Sequence, residues 1–129
     1  MFKEAPVKEP LWRPPAERMS NANMTRFIAF VNEQEGKRFT TYEELYPWSI
    51  ESIPAFWTAV WDFCEVKASK RFETVVDDLD KMPGARWFIG AELNFAENLL
   101  RYRDERTALV SAGEAQTTRR MSYNELYEA

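Results

Sequence analysis

Ile53-Pro54-Ala55-Phe56-Trp57-Thr58-Ala59-Val60-Trp61-Asp62-Phe63-Cys64 is the stretch on which the fold turns. Ile53, Phe56, Trp57, Val60, Trp61 and Cys64 fall at i, i+3, i+4, i+7, i+8 and i+11, the spacing of one face of an α-helix. Pro54 sits in the first turn, where its missing N–H is no loss. Five of those six side chains are large or branched, so this helix is expected to bury one whole face. Cys64 completes that face as a small buried hydrophobe.

Upstream, Met24, Phe27, Ile28 and Val31 make a second helical face from Ser20 onward, and Gly36 stops it. Thr41 and Glu44 have capping-box spacing for a short helix that Pro47 is expected to close. Residues 1–19 hold Pro6, Pro10, Pro14 and Pro15, a density that predicts an extended arm, with Leu11 and Trp12 as its apolar pair. Downstream, Thr74–Val76 is a weak strand, Met82-Pro83-Gly84 a turn, and Trp87–Ile89 an apolar run ended by Gly90. Asn94 is placed to cap a helix to about Tyr102. Its two stripes, Phe95/Leu99/Tyr102 and Leu93/Ala96/Leu100, predict burial over much of its circumference. Thr107–Ala112 and Arg119–Met121 read as a hairpin. Ser122 and Glu125 form a further capping box, whose helix has only a few residues before Ala129, so the sequence reads as an interrupted piece of something longer.

At 129 residues, 45% of them hydrophobic, the chain is long enough for one modest globular body. Seventeen basic against twenty-one acidic residues leave a net charge of −4, the wrong sign for nucleic acid. There is no apolar run of about 18 residues to span a membrane, and the opening Met1–Pro6 has no apolar signal core, so no secretory targeting is expected. One cysteine, Cys64, fits a reducing compartment, and the cytoplasm is the expected location. Histidine is absent, which removes the commonest general base and metal ligand. The four glycines, 36, 84, 90 and 113, are too scattered for a phosphate-cradling loop. Asp77, Asp78 and Asp80 are the densest acidic group, but their spacing matches no calcium loop, and a solvated loop accounts for them. Glu97 is spaced to pair with Arg101 on a helix. Trp57 and Trp61 could stack a ligand ring, but their apolar neighbours favour core packing. From the residues alone, no catalytic, cofactor-binding or metal site is expected.

The run Arg86-Trp87-Phe88-Ile89-Gly90-Ala91-Glu92-Leu93-Asn94-Phe95-Ala96-Glu97-Asn98-Leu99-Leu100 resembles a signature of adenylate-forming acyl-CoA synthetases, and looks most like the acetoacetyl-CoA synthetase family. Trp87, Phe88, Gly90, Leu93, Asn94 and Asn98 match that motif; Ile89 stands where proline is usual. Leu11-Trp12-Arg13-Pro14, Asn23–Phe27, Tyr46-Pro47-Trp48-Ser49 and Met121–Leu126 resemble the same family in order and spacing. The resemblance implies a ligase that activates acetoacetate with ATP and Mg²⁺ to an acyl-adenylate and then passes the acyl group to CoA. That family's phosphate loop and catalytic lysine lie far downstream, so the resemblance gives the six motif residues a structural role and no catalytic one.

The expected fold is therefore α+β: a mostly helical amino-terminal cap region over 20–104, then the first hairpin and helix of a larger α/β AMP-binding domain from 105 to 129. The expected function is the amino-terminal portion of an ATP-dependent ligase, inactive by itself, with the remainder of the ligase chain as its partner. The alternative is a free-standing helical interaction module with an aromatic partner-binding face.

Overall fold

The computed structural model describes residues 12–114 and 116–129. The chain divides into two compact units, Met1–Phe63 and Cys64–Ala129.

In the first unit, α1 (Ala16–Ser20) takes up the end of the stretch 1–19 expected to be extended. Ala, Glu, Arg and Met are good helix formers, and Pro15 precedes the helix, where no N–H is needed. The Met1–Leu11 part of that arm lies outside the described residues. Helix α2 (Asn23–Glu35) buries Phe27, Ile28 and Val31, while Met24 at its start stays exposed. Gly36 ends it in the left-handed conformation at φ 61°, which glycine adopts without a Cβ clash. Asn32 then folds the next segment back, donating to Phe39 O and accepting from Phe39 N, both at 2.8 Å.

Helix α3 (Tyr42–Glu51) starts with the expected capping box: Thr41 Oγ1 accepts from Glu44 N at 3.3 Å, and Glu44 Oε2 accepts from Thr41 N at 3.2 Å. Pro47 does not close the helix but sits inside it. Interior proline costs about 3 kcal/mol. Here Leu45 and Trp48, on either side of it, are both buried in the core, and their packing offsets the local penalty.

Helix α4 (Ile53–Phe63) forms as expected, and of its expected face Phe56 and Val60 pack on the core and Trp61 is buried. Ala55, Phe56, Ala59, Val60 and Phe63 meet the core formed by Phe27, Ile28, Val31, Leu45 and Trp48, while Trp57 is exposed. The apolar positions of α4 are wider than one stripe, and packing selected among them. Phe27 is the hub, edge-on to Phe56 at 5.9 Å and to Phe63 at 5.1 Å. Such aromatic pairs add about 0.5–1.5 kcal/mol beyond area burial. Val31, fully buried, and Leu45, 2% exposed, lie deepest.

The second unit opens with a correction. Cys64 is exposed, because α4 stops at Phe63 and Glu65 turns the chain away at φ 51°. Strands β1 (Thr74–Val76) and β2 (Trp87–Ile89) pair antiparallel, Thr74 with Ile89 and Val76 with Trp87. Helix α5 is shorter than expected, Phe95–Leu99. Strands β3 (Thr107–Gly113) and β4 (Gln116–Ser122) form the expected hairpin with longer arms, Leu109 opposite Met121 and Ser111 opposite Arg119. The Ser122–Glu125 capping box then opens α6 (Tyr123–Glu128). Among the described residues of this unit, Val75 is the one buried apolar side chain. Phe95, Leu99, Tyr102 and Leu93, expected to be covered, are all exposed. No helix of the described residues is long and apolar enough to cross a membrane.

Candidate functional site

The motif residues occupy one arm of a long irregular hairpin in the second unit, and residues 67–77 are the other arm. Working from its open end, Lys67 meets Asn98 and Ser69 N donates to Glu92 O at 2.8 Å. Lys70 bridges Glu92 antiparallel, Glu73 N donates to Ile89 O at 2.8 Å, and β1 pairs with β2. At the loop end Asp77 N donates to Arg86 O at 3.1 Å. The sequence held a signal for β1 and β2 separately, but none for this full-length pairing.

Two side chains clamp the ends. Asn98 Nδ2 donates to Lys67 O at 2.8 Å and to Asn94 O at 2.9 Å, while its Oδ1 accepts from Lys67 N at 2.8 Å. Asn94 caps α5, its Oδ1 accepting from Ala96 N at 2.8 Å and Glu97 N at 3.3 Å. At the far end Asp77 accepts from Arg86 N at 2.9 Å, Lys81 Nζ at 3.0 Å and Arg86 Nε at 3.3 Å. These donors, the Arg86 N–H foremost and then the Lys81 ammonium, hold the Asp77 carboxyl well below the ordinary carboxylate range. Asp77 is thus a structural anchor rather than part of a solvated acidic loop. Asp78 caps its own turn, accepting from Asp80 N at 3.0 Å.

The other motif positions follow the same hairpin. Gly90 has φ 83°, and a Cβ there would stand 3.2 Å from the Glu73 carboxyl. Phe88 is held at φ 49° with its ring 5.3 Å from that of Phe72. Trp87 and Leu93 are partly solvent-exposed. Arg101 does not pair with Glu97; it donates to Cys64 O at 2.9 Å and Glu65 O at 3.4 Å, tying the end of α5 to the start of the unit.

Beside α5 lies an open groove of about 370 Å³, lined by Asn94, Ala96, Glu97, Leu100, Arg103 and Tyr127. Its one guanidinium, Arg103, stacks 3.7 Å over the Tyr127 ring. A nearby pair of rings, Tyr102 and Tyr123, is bracketed by Arg106, which is itself bound bidentately by Asp104 at 2.8–3.0 Å. Asp104 pushes the Arg106 guanidinium further up from its ordinary value, and Arg106 holds the Asp104 carboxyl below its ordinary range. No nucleophile with a base beside it appears in either place. Among the described residues no three His, Cys, Asp or Glu side chains converge.

Residues 42–99, which contain every motif position, match the acetyl-coenzyme A synthetase N-terminus family. An acetoacetyl-CoA synthetase of Danio rerio is 42% identical over 107 residues, 81% of this chain and 16% of its own length. A malonamoyl-CoA synthetase of Penicillium aethiopicum is 39% identical over 114 residues, 83% of this chain and 16% of its own length. The solved acetoacetyl-CoA synthetase from Streptomyces lividans superposes with a TM-score of 0.81 at 37% identity, over 92% of this chain and 19% of that one. Over residues 42–99 the chain matches the acetyl-coenzyme A synthetase N-terminus family, and most of its length is similar to acetoacetyl-CoA synthetases. Its helices and two small antiparallel sheets are the α+β arrangement of that family's amino-terminal region. It spans less than a fifth of the length of these relatives.

Proposed function

We propose that this chain is the amino-terminal portion of an ATP-dependent acid–thiol ligase that makes acetoacetyl-CoA, acting in the cytoplasm. The observation that carries the reading is the similarity to acetoacetyl-CoA synthetases in both sequence and backbone, beside a family match over residues 42–99 that spans the Trp87–Asn98 motif. In the proposed reaction a carboxylate oxygen of acetoacetate attacks the α-phosphorus of ATP, and diphosphate leaves with the electron pair of the broken P–O bond. The CoA thiolate then attacks the acyl carbon of the adenylate and releases AMP. Fixed cationic groups and Mg²⁺ would offset the phosphate charge in the first step. We place those groups in the rest of the ligase chain, since the described residues bring no such set together. Residues 105–129 we take as the opening of the large AMP-binding domain.

The malonamoyl-CoA synthetase relative widens the acyl class to short acids with a carbonyl at the third carbon. The test is to purify the gene product from its source cells, determine its mass, and measure AMP release with acetoacetate and with malonamate, each with and without CoA. A product several times heavier than 15.2 kDa with acetoacetate- and CoA-dependent turnover is expected, and the 129-residue chain should show none. A native product of 15.2 kDa, or a longer one inert towards both acids, would overturn the reading.

A further inference from the structure

A five-residue helix such as α5 is too short to stand in water without outside support. Here Asn94 caps its start, Asn98 binds both backbone groups of Lys67, and Arg101 binds the carbonyls of Cys64 and Glu65. Together these ties fix not only the position of α5 but its rotation. On that fixed mount Phe95 and Leu99, one turn apart, are 74% and 60% exposed. The helix cannot roll to bury them without breaking the Asn98 bonds. Two large apolar side chains held outward at i and i+4 are the anchor pattern of a helix that seats in an apolar groove.

We propose that the Phe95–Leu99 face of α5 is a docking surface for the later part of the same polypeptide, the part that the relatives carry beyond this segment. The proposal rests on the ligase reading above. The matched solved chain is covered over only 19% of its length, so ample chain remains to form the groove. The β3–β4 hairpin points the same way, with Leu109 and Val110 both exposed although successive strand residues face opposite sides. A two-stranded hairpin open on both sides is marginal in water and requires further cover. A second copy of this chain is the rival occupant.

The test uses Leu99→Cys in a Cys64→Ser background, with maleimide labelling measured on the 129-residue chain and on the long gene product. Labelling is expected to be at least about tenfold slower in the long product, as befits a side chain removed from solvent. Phe95→Asp should return that rate towards the value of the short chain while leaving the short chain's own melting unchanged. Equal rates in the two forms would overturn the proposal. So would protection in the short chain that grows with its concentration, which assigns the face to a second copy. Acetoacetate-dependent turnover of the same long product is read separately. Protection without turnover removes the ligase reading alone, and turnover without protection removes the docking surface alone.

Discussion

Asn98→Ala tests whether the motif asparagine holds the local structure. The substitution removes three hydrogen bonds, at 2.8, 2.8 and 2.9 Å, two to Lys67 and one to Asn94. A hydrogen bond contributes a net 0.5–1.5 kcal/mol or so, and a half-buried site lies in the lower part of that range, giving about 2 kcal/mol for the set. That corresponds to a roughly 30-fold larger equilibrium constant for opening of α5. Amide hydrogen exchange at Leu100 is the direct assay, because its N–H donates to Ala96 O at 2.8 Å and that bond exists only while α5 does. Exchange at Leu100 should quicken about 30-fold. Asn98→Asp should open α5 at least as much at neutral pH, since an ionised carboxylate would face two carbonyl oxygens and donate to neither. If the Lys67 amide alone quickens and Leu100 does not, the Asn98 bonds merely decorate a helix held by other contacts, and the reasoning is refuted.

Leu45→Ala removes a 2%-exposed side chain from the centre of the helical unit and should cost about 3–5 kcal/mol, lowering the midpoint of the helical circular-dichroism transition by at least about 12 °C. Asp77 has its folded pKa depressed, so its stabilisation is fully present above the unfolded value near 3.9 and is lost as pH falls below that value towards the folded one. The Asp77 N and Arg86 N amides should therefore lose protection below about pH 4, and Asp77→Asn, which keeps the acceptor oxygen but not the charge, should flatten that acid dependence.

What the sequence made legible were devices contained within a few neighbouring residues. The Thr41–Glu44 and Ser122–Glu125 boxes and the Asn94 cap satisfy backbone groups two or three positions away, the Gly36 stop needs only its own positive φ, and each stands where its pattern placed it. The features that escaped are decided by distant partners. Pro47 remains helical because Leu45 and Trp48 are packed by residues of α2 and α4. The apolar positions of α4 are wider than one stripe, broken by Thr58 and Asp62, so their spacing did not show that Trp57 would stay exposed. Asp77 looked like part of a solvated acidic cluster because its partner Arg86 stands nine residues on, beyond a turn. The same holds for Asn98 and Lys67, separated by 31 positions, although the motif had already marked Asn98 as structural.

Perturbed ionisable groups ordinarily point to active sites, and their disposition here argues the opposite for this segment. Asp77 is held down by Arg86 and Lys81, Asp104 by Arg106, Glu73 by Lys70, and Glu44 by the Thr40 N–H and hydroxyl. Every one of these partners lies within nine residues, and each pair closes a turn, a cap or a loop. None lines the groove beside α5, whose own charges, Glu97 and Arg103, sit with Arg103 already stacked on Tyr127. A carboxylate held as the anion by its own loop, with its pKa lowered, is a weak acceptor for a substrate proton, and a guanidinium occupied by a neighbouring carboxylate has little field left for a phosphate. Electrostatic work in this segment is thus spent on shape. Apart from these pairs stands α5, tied by Asn94, Asn98 and Arg101 with Phe95 and Leu99 turned outward. In the ligase proposed above, a substitution at Asn98 should therefore reach the chemistry only through the seating of that helix: Asn98→Ala would lower the stability of the long gene product while leaving the pH profile of kcat in its folded fraction unchanged. A shifted profile would mean that the asparagine acts on the reacting groups, and the division between shape and chemistry argued here would fail.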